Sequence, residues 1–161
     1  MKADFEIQRR VMNVDVINDW ADEVAPVLQR IYQHRDIHNA TQLDYQLKRL
    51  EGFDKLSDIG KAVDCLVESL AKQHRILIVG DFDVDGATST TLAVRVLRAM
   101  GAAHVDYLVP NRFEYGYGLT PEIVAVASQS KPDLIITVDN GISSIAGVDA
   151  ANQLGIKVLV T

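Results

Sequence analysis

The chain has 161 residues, a formal net charge of −6, 48% hydrophobic and 24% charged residues. That length suits one domain, or a domain with an appendage, and buries a core without staples. The composition is that of a soluble globular protein; its acidity argues against a basic nucleic-acid coat, though not against an enzyme that grips nucleic acid through metal ions.

The N-terminus, MKADFEIQRR, has no apolar signal core, and no apolar run approaches membrane-spanning length. A cytoplasmic protein with no membrane partner is expected. Val11 to Ile17 partly alternates and reads as a short strand. From about Asp22 to Arg35, Val24, Val27, Leu28, Ile31 and Tyr32 fall at helical spacing, with Pro26 in the first turn. Thr41 to Leu47 reads as a short helix capped by Thr41 and broken at Gly52. Ser57 is expected to cap a helix over about 58–73, with Ile59, Val63, Leu66, Val67 and Leu70 on one face. The chain's one cysteine, Cys65, lies on that stripe. It excludes an internal disulfide and reads as a small buried hydrophobe. Residues 1–72 thus form a helical leader in which no chemistry is visible.

From residue 73 the pattern becomes regular. Strands are expected at about 75–80, 104–109, 134–138 and 156–160. Helices are expected at about 87–100, ended by Gly101, at 120–130, opened by Thr120 and Pro121, and at 143–154, opened by Ser143. Near-continuous Ile, Leu and Val strands alternating with amphipathic helices predict an α/β fold. It is a parallel sheet of about four strands covered on both faces, most simply in the order 2-1-3-4.

The first strand runs into Gly80 and then into Asp81, Asp83 and Asp85, followed by Gly86. Three acids so close repel one another unless cations neutralise them. Asp139 ends the third strand as Asp81 ends the first. In the order 2-1-3-4 those strands are neighbours whose following helices lie on opposite faces, the topological switch point where such sheets bind ligands. Asp81, Asp83, Asp85 and Asp139 would converge there as hard oxygen ligands for Mg²⁺ or Mn²⁺. Two such ions, roughly 3.5–4 Å apart, bridge a phosphoryl oxygen and activate a water for in-line attack.

Other readings of Asp-x-Asp-x-Asp-Gly remain. An EF-hand loop needs a bidentate Glu at its twelfth position, which here is Leu92. A haloacid-dehalogenase pattern makes Asp83 a nucleophile but leaves Asp81 and Asp139 unexplained. The acids could also be solvated loop residues or helix caps.

The segments VGDFDVDGATST, DYLVPNRFEYGYGL, LIITVDNGISS and AGVDAANQLGIKVLVT resemble, in the same order, those of the DHH phosphoesterase superfamily and its RecJ-type exonucleases. The resemblance is strong over 75–161 and weaker in LSDIGKAVDCL. It implies a metal-dependent 5′-to-3′ exonuclease on single-stranded DNA, used in repair and recombination. Asp81, Asp83 and Asp85 match its first motif and Asp139 its second, a bridge between two Mn²⁺ or Mg²⁺ ions. Arg112, after Asn111 in the PNR loop, is expected to contact a DNA phosphate. Gly116 and Gly118 would let that loop turn near the substrate. Tyr115 departs from the acid or small polar residue expected there. Tyr117 would stack a base or pack in the core. Ser143 and Ser144 would offer backbone N–H groups to phosphate, or simply cap their helix.

The family's third motif, Asp-His-His, is expected directly after Thr161. His34, His38, His74 and His104 lie in the leader or at strand beginnings and cannot replace it. Residues 73–161 then correspond to the first part of a DHH domain. The chain alone is expected to bind metal weakly, with little or no exonuclease activity. A DHH enzyme of small phosphates and a non-catalytic binding module are the competing functions. A single-stranded-DNA-binding protein and a helicase are the partners the family suggests.

Overall fold

Two almost wholly aliphatic stretches form the centre of the sheet: β1, Ile76–Val79, and β3, Leu134–Thr137, every residue of both buried. A computed structural model describes residue 8, residues 19–20 and residues 24–161. The strand expected at Val11 to Ile17 and the start of the first helix at Asp22 lie outside the described residues. The chain divides into two compact units, Met1–Lys55 and Leu56–Thr161.

In the first unit, α1 (Pro26–Gln33) begins with Pro26 in its first turn, as the sequence suggests. Trp20 stacks on Tyr32 with ring centroids 5.8 Å apart. Instead of one helix over 41–47 there are two 3₁₀ turns, Ala40–Leu43 and Leu47–Arg49. The cap is Asn39, not Thr41. Asn39 accepts from the Gln42 N–H while Gln42 accepts from the Asn39 N–H, a reciprocal capping box.

The second unit carries α2 (Ile59–Ala71), then β1, α3 (Val84–Ala99), β2 (Val105–Leu108), α4 (Arg112–Tyr115), α5 (Pro121–Ser128), β3, α6 (Ile145–Gln153) and β4 (Lys157–Val160). All pairings are parallel, in the order β2-β1-β3-β4. Alternate strand residues face alternate layers. Ile76, Ile78, Leu134 and Ile136 pack with Val94 and Leu97 of α3 and with Cys65, Leu66 and Leu70 of α2. Leu77, Val79 and Ile135 pack on the other side with Ile123, Val124 and Ala127 of α5 and Ala151 of α6. The helix after β1 and the helix after β3 therefore lie on opposite faces, and the crevice opens between the β1 and β3 tips. The boundary drawn at residue 72 from sequence falls within this unit, just after α2.

Cys65 is only half-buried, at the edge of the first layer. α2 opens after Asp58, not with Ser57 as a side-chain cap; Asp58 is left-handed at φ 56° and makes no cap hydrogen bond.

Glu68 of α2 lies 2.7 Å from Lys157 Nζ of β4 and 2.6 Å from Lys72 Nζ. Lys157, then Lys72, hold its carboxyl down at about 2, below its ordinary 4.5. A depressed carboxylate stabilises the fold fully above its unfolded value and less as pH falls toward its folded value. All three side chains are well exposed, so the effect is small. Glu68→Gln is expected to lower Tm slightly at pH 7 at low salt. That difference should shrink between pH 4.5 and about 2 and in high salt; scanning calorimetry across pH reads it.

Candidate metal centre

Gly80 ends β1, its N–H still donating to the Leu108 carbonyl at 3.1 Å. The chain then leaves the sheet. Asp81 is half-buried, and its Oδ1 accepts from the Phe82 N–H at 2.8 Å. Asp83 is extended, at φ −82° and ψ −175°, and caps α3 by accepting from the Gly86 N–H at 3.0 Å. α3 therefore begins at Val84, earlier than the expected 87. Asp85 falls in its first turn, where a carboxylate suits the positive end of the helix.

Across the crevice, Val138 donates to the Val79 carbonyl at 3.0 Å, and Asp139 reverses the chain at φ 61°. Asp tolerates that left-handed conformation better than most residues. The turn brings carboxylate oxygens of Asp81, Asp83 and Asp139 within 4.8 Å of one another. Asp139 thus lies at the rim the topology requires. Asp85 stands outside this triplet, exposed, but its charge reaches Asp139. The Asp139 carboxyl is pushed above its ordinary value by desolvation, then by the charge of Asp83 and a hydrogen bond with it, then by Asp85 and Asp81. A carboxyl whose proton affinity is raised by neighbouring anions is matched to a cation, and three hard oxygen donors suit Mg²⁺ or Mn²⁺.

The loop after β2 closes one side. Asn111 lies at the head of α4. Its Oδ1 accepts from the Phe113 N–H at 3.1 Å, and its carbonyl accepts from Glu114 and Tyr115. Its side chain is thus engaged in capping. Arg112 is the first residue of α4. Gly116 and Gly118 take φ of 78° and 77°, conformations that a side chain would strain. Tyr117 is exposed rather than packed in the core, and its hydroxyl donates to the Asp139 carbonyl at 3.1 Å.

Ser143 lies in the turn before α6, which opens at Ile145, two residues later than expected. Ser144 occupies the cap position, but its hydroxyl serves the loop instead, accepting from the Leu119 N–H at 3.0 Å. The loop is thereby tied to the β3 tip at Tyr117 and at Leu119.

Two features escaped the sequence reading. Phe82, Phe113 and Ile142 are exposed in the segments that follow the strand tips, Phe113 and Ile142 at 95%. Their signal was present as large apolar residues within turn segments. Asn140 is not singled out by the sequence, yet its amide joins both strand tips, donating to Val79 and Val138 carbonyls at 3.1 and 2.9 Å.

Residues 75–161 match the model of the DHH family, N-terminal domain. The chain is 47% identical over its whole length to the single-stranded-DNA-specific exonuclease RecJ of Escherichia coli K12, spanning 28% of that relative. It is 34% identical to the RecJ of Thermus thermophilus over 96% of the chain and 23% of the relative. A crystal structure of exonuclease RecJ bound to manganese superposes with TM-score 0.57 and 40% identity, over 63% of this chain and 26% of that one. The Thermus thermophilus RecJ in complex with Mn²⁺ superposes with TM-score 0.57 and 28% identity, over 88% of this chain and 22% of that one. The chain spans about a quarter of the length of these relatives. With its fold, its switch-point acids and more than half its length matched, the chain belongs to the DHH family.

Proposed function

We propose that the β1 and β3 tips form a divalent-metal centre, for Mn²⁺ or Mg²⁺, of an exonuclease that hydrolyses single-stranded DNA from the 5′ end. One observation carries this reading: carboxylate oxygens of Asp81, Asp83 and Asp139 meet within 4.8 Å at the switch point. Bound there, the cation would supply Lewis-acid polarisation of a phosphoryl oxygen and a water of lowered pKa. Asp81, Asp83 and Asp139 would hold it, and Asp85 would add charge at the rim. Arg112 and Asn111 belong to the adjoining loop and are assigned to the phosphate backbone of the substrate, with the Ser143 turn beside them. Phe82, Phe113 and Tyr117 give bases exposed aromatic surfaces on which to stack.

The substrate class follows the relatives, which are named single-stranded-DNA-specific exonucleases. With that activity go DNA repair and recombination in the cytoplasm, beside a single-stranded-DNA-binding protein and a helicase. α2 packs on the sheet, so the division at residues 72 and 73, a helical leader followed by the metal-binding half, is kept only as a functional one: Asp81, Asp83, Asp85 and Asp139 all lie beyond it. Among the described residues, no helix is long and apolar enough to cross a membrane.

The test is Mn²⁺ titration followed by electron paramagnetic resonance, then competition among single-stranded DNA, duplex DNA and a dinucleotide. Saturable, chelator-reversible uptake of Mn²⁺, lost in Asp81→Ala, with preference for the single strand, is the expected result. Uptake that survives Asp81→Ala would remove the metal centre from this site. Preference for the dinucleotide would point instead to a small-phosphate enzyme.

A further inference from the structure

We propose that Asn140 is a positioning residue of this centre: its side-chain amide fixes the separation of the two strand tips that carry Asp81 and Asp139. The inference rests on the reading of those acids as metal ligands. The β1–β3 ladder ends at the pair Val79 and Thr137. Beyond it one backbone bond, from the Val138 N–H to the Val79 carbonyl at 3.0 Å, still joins the tips before the chain leaves β1 through Gly80 and turns back after β3 at Asp139. Asn140 adds a side-chain link at the same place. Its Nδ2 donates to the Val79 carbonyl at 3.1 Å and to the Val138 carbonyl at 2.9 Å. Both partners are acceptors only, so the nitrogen, and not the oxygen, must face them.

Val79 lies two residues before Asp81, and Val138 immediately precedes Asp139. One planar amide with two fixed N–H directions therefore braces both ligand-bearing segments beside the single backbone bond that joins them. The acceptor end is not used in this bridge. Asn140 Oδ1 is buried without a hydrogen-bond partner. The residue also lines a small cavity of about 10 Å³ with Gly80, Asp81, Pro110, Gly116 and Gly118, roughly the room of one water. Few other residues suit the position. Asp would set a charge against two carbonyl oxygens, Gln carries one methylene too many, and Ser offers a single donor at shorter reach.

A merely structural Asn140 would affect folding and leave the folded protein's metal affinity alone. The test is Mn²⁺ affinity of Asn140→Ala and Asn140→Ser, by paramagnetic resonance, at a temperature where circular dichroism shows each fully folded. Amide hydrogen exchange at Val138 is read without metal. Asn140→Ala is expected to weaken Mn²⁺ binding by about ten- to a hundredfold, the range for outer-shell partners. It should also speed exchange at Val138. Asn140→Ser should fall between it and wild type, and carries the test if Asn140→Ala does not fold. Wild-type affinity in the folded variants would overturn the proposal. Should the wild type itself take up no Mn²⁺, the metal reading fails, and the exchange rates alone decide whether Asn140 holds the tips together; unchanged exchange would refute that too.

Discussion

Asp139→Asn is expected to abolish most Mn²⁺ affinity while leaving the metal-free fold as stable as wild type, or more so. The two effects have opposite signs because one side chain serves opposed demands. Asn has the shape of Asp and tolerates the same left-handed backbone, so the turn at φ 61° is kept. What is lost is one of the three converging carboxylates. Loss of an outer-shell partner costs roughly ten- to a hundredfold in affinity, and loss of a ligand should exceed that. Without metal, however, the Asp139 charge is unfavourable. Desolvation, then Asp83, Asp85 and Asp81, raise its proton affinity above the ordinary value. A raised acid favours the fold below its unfolded pKa, and the advantage is lost as pH rises through its folded pKa. At pH 7 wild type therefore bears the repulsion and Asp139→Asn does not. The Tm difference in chelator should vanish on acidification to below the ordinary Asp value of 3.8. Calorimetry with and without Mn²⁺ reads both effects. A variant that melts lower in chelator, yet keeps its Mn²⁺-induced rise in Tm, would show that Asp139 supports the turn and not the cation.

The strand order and the switch point were legible because they follow from patterns local to each segment. Ile76–Val79 and Leu134–Thr137 are aliphatic almost throughout, and only a strand buried on both faces asks for that. The pairing of Asp81 with Asp139 came from topology, a rule that needs no side-chain detail. Helix starts were less legible, each for a reason of hydrogen bonding. Asp83 was read as a ligand and is also a cap, so α3 begins at Val84. Ser144 lies at the α6 cap position, but its hydroxyl accepts from Leu119, 25 residues away. No window of sequence around Ser143 contains that partner. Asn140 was hidden in the same way, since Val79, 61 residues distant, supplies one of its acceptors. The exposed Phe82, Phe113 and Ile142 could have been noticed, as apolar residues in turns are unexpected. Periodicity finds stripes, and single apolar residues in turns belong to none.

Gly86→Ala is expected to lower stability, contrary to what helix propensity alone would say. In a helix, Ala ordinarily gains roughly 0.5–1 kcal/mol over Gly. Gly86 is buried in the first turn of α3, and a Cβ there would meet the Asp81 carbonyl oxygen, with its carbonyl carbon at 2.5 Å and its Cα at 2.7 Å. These are backbone atoms and cannot rotate away. Either the helix start or the Asp81 backbone must move, and overpacking of this kind costs about 1–3 kcal/mol. In a chain of this size that is a fall in Tm of roughly 2–12 °C. The displaced element is the segment that presents the Asp81 carboxylate, so Mn²⁺ affinity should fall as well. Gly60 supplies the control: it is exposed, in α2, with nothing within 4 Å of an added Cβ. Gly60→Ala should raise stability by about 0.4–1 kcal/mol and leave Mn²⁺ binding unchanged. Equal Tm and equal Mn²⁺ affinity in Gly86→Ala and wild type would mean that α3 does not rest on the Asp81 backbone. The closeness of helix and ligand segment, which lets a strand end turn so sharply into a metal-facing loop, depends on position 86 having no side chain.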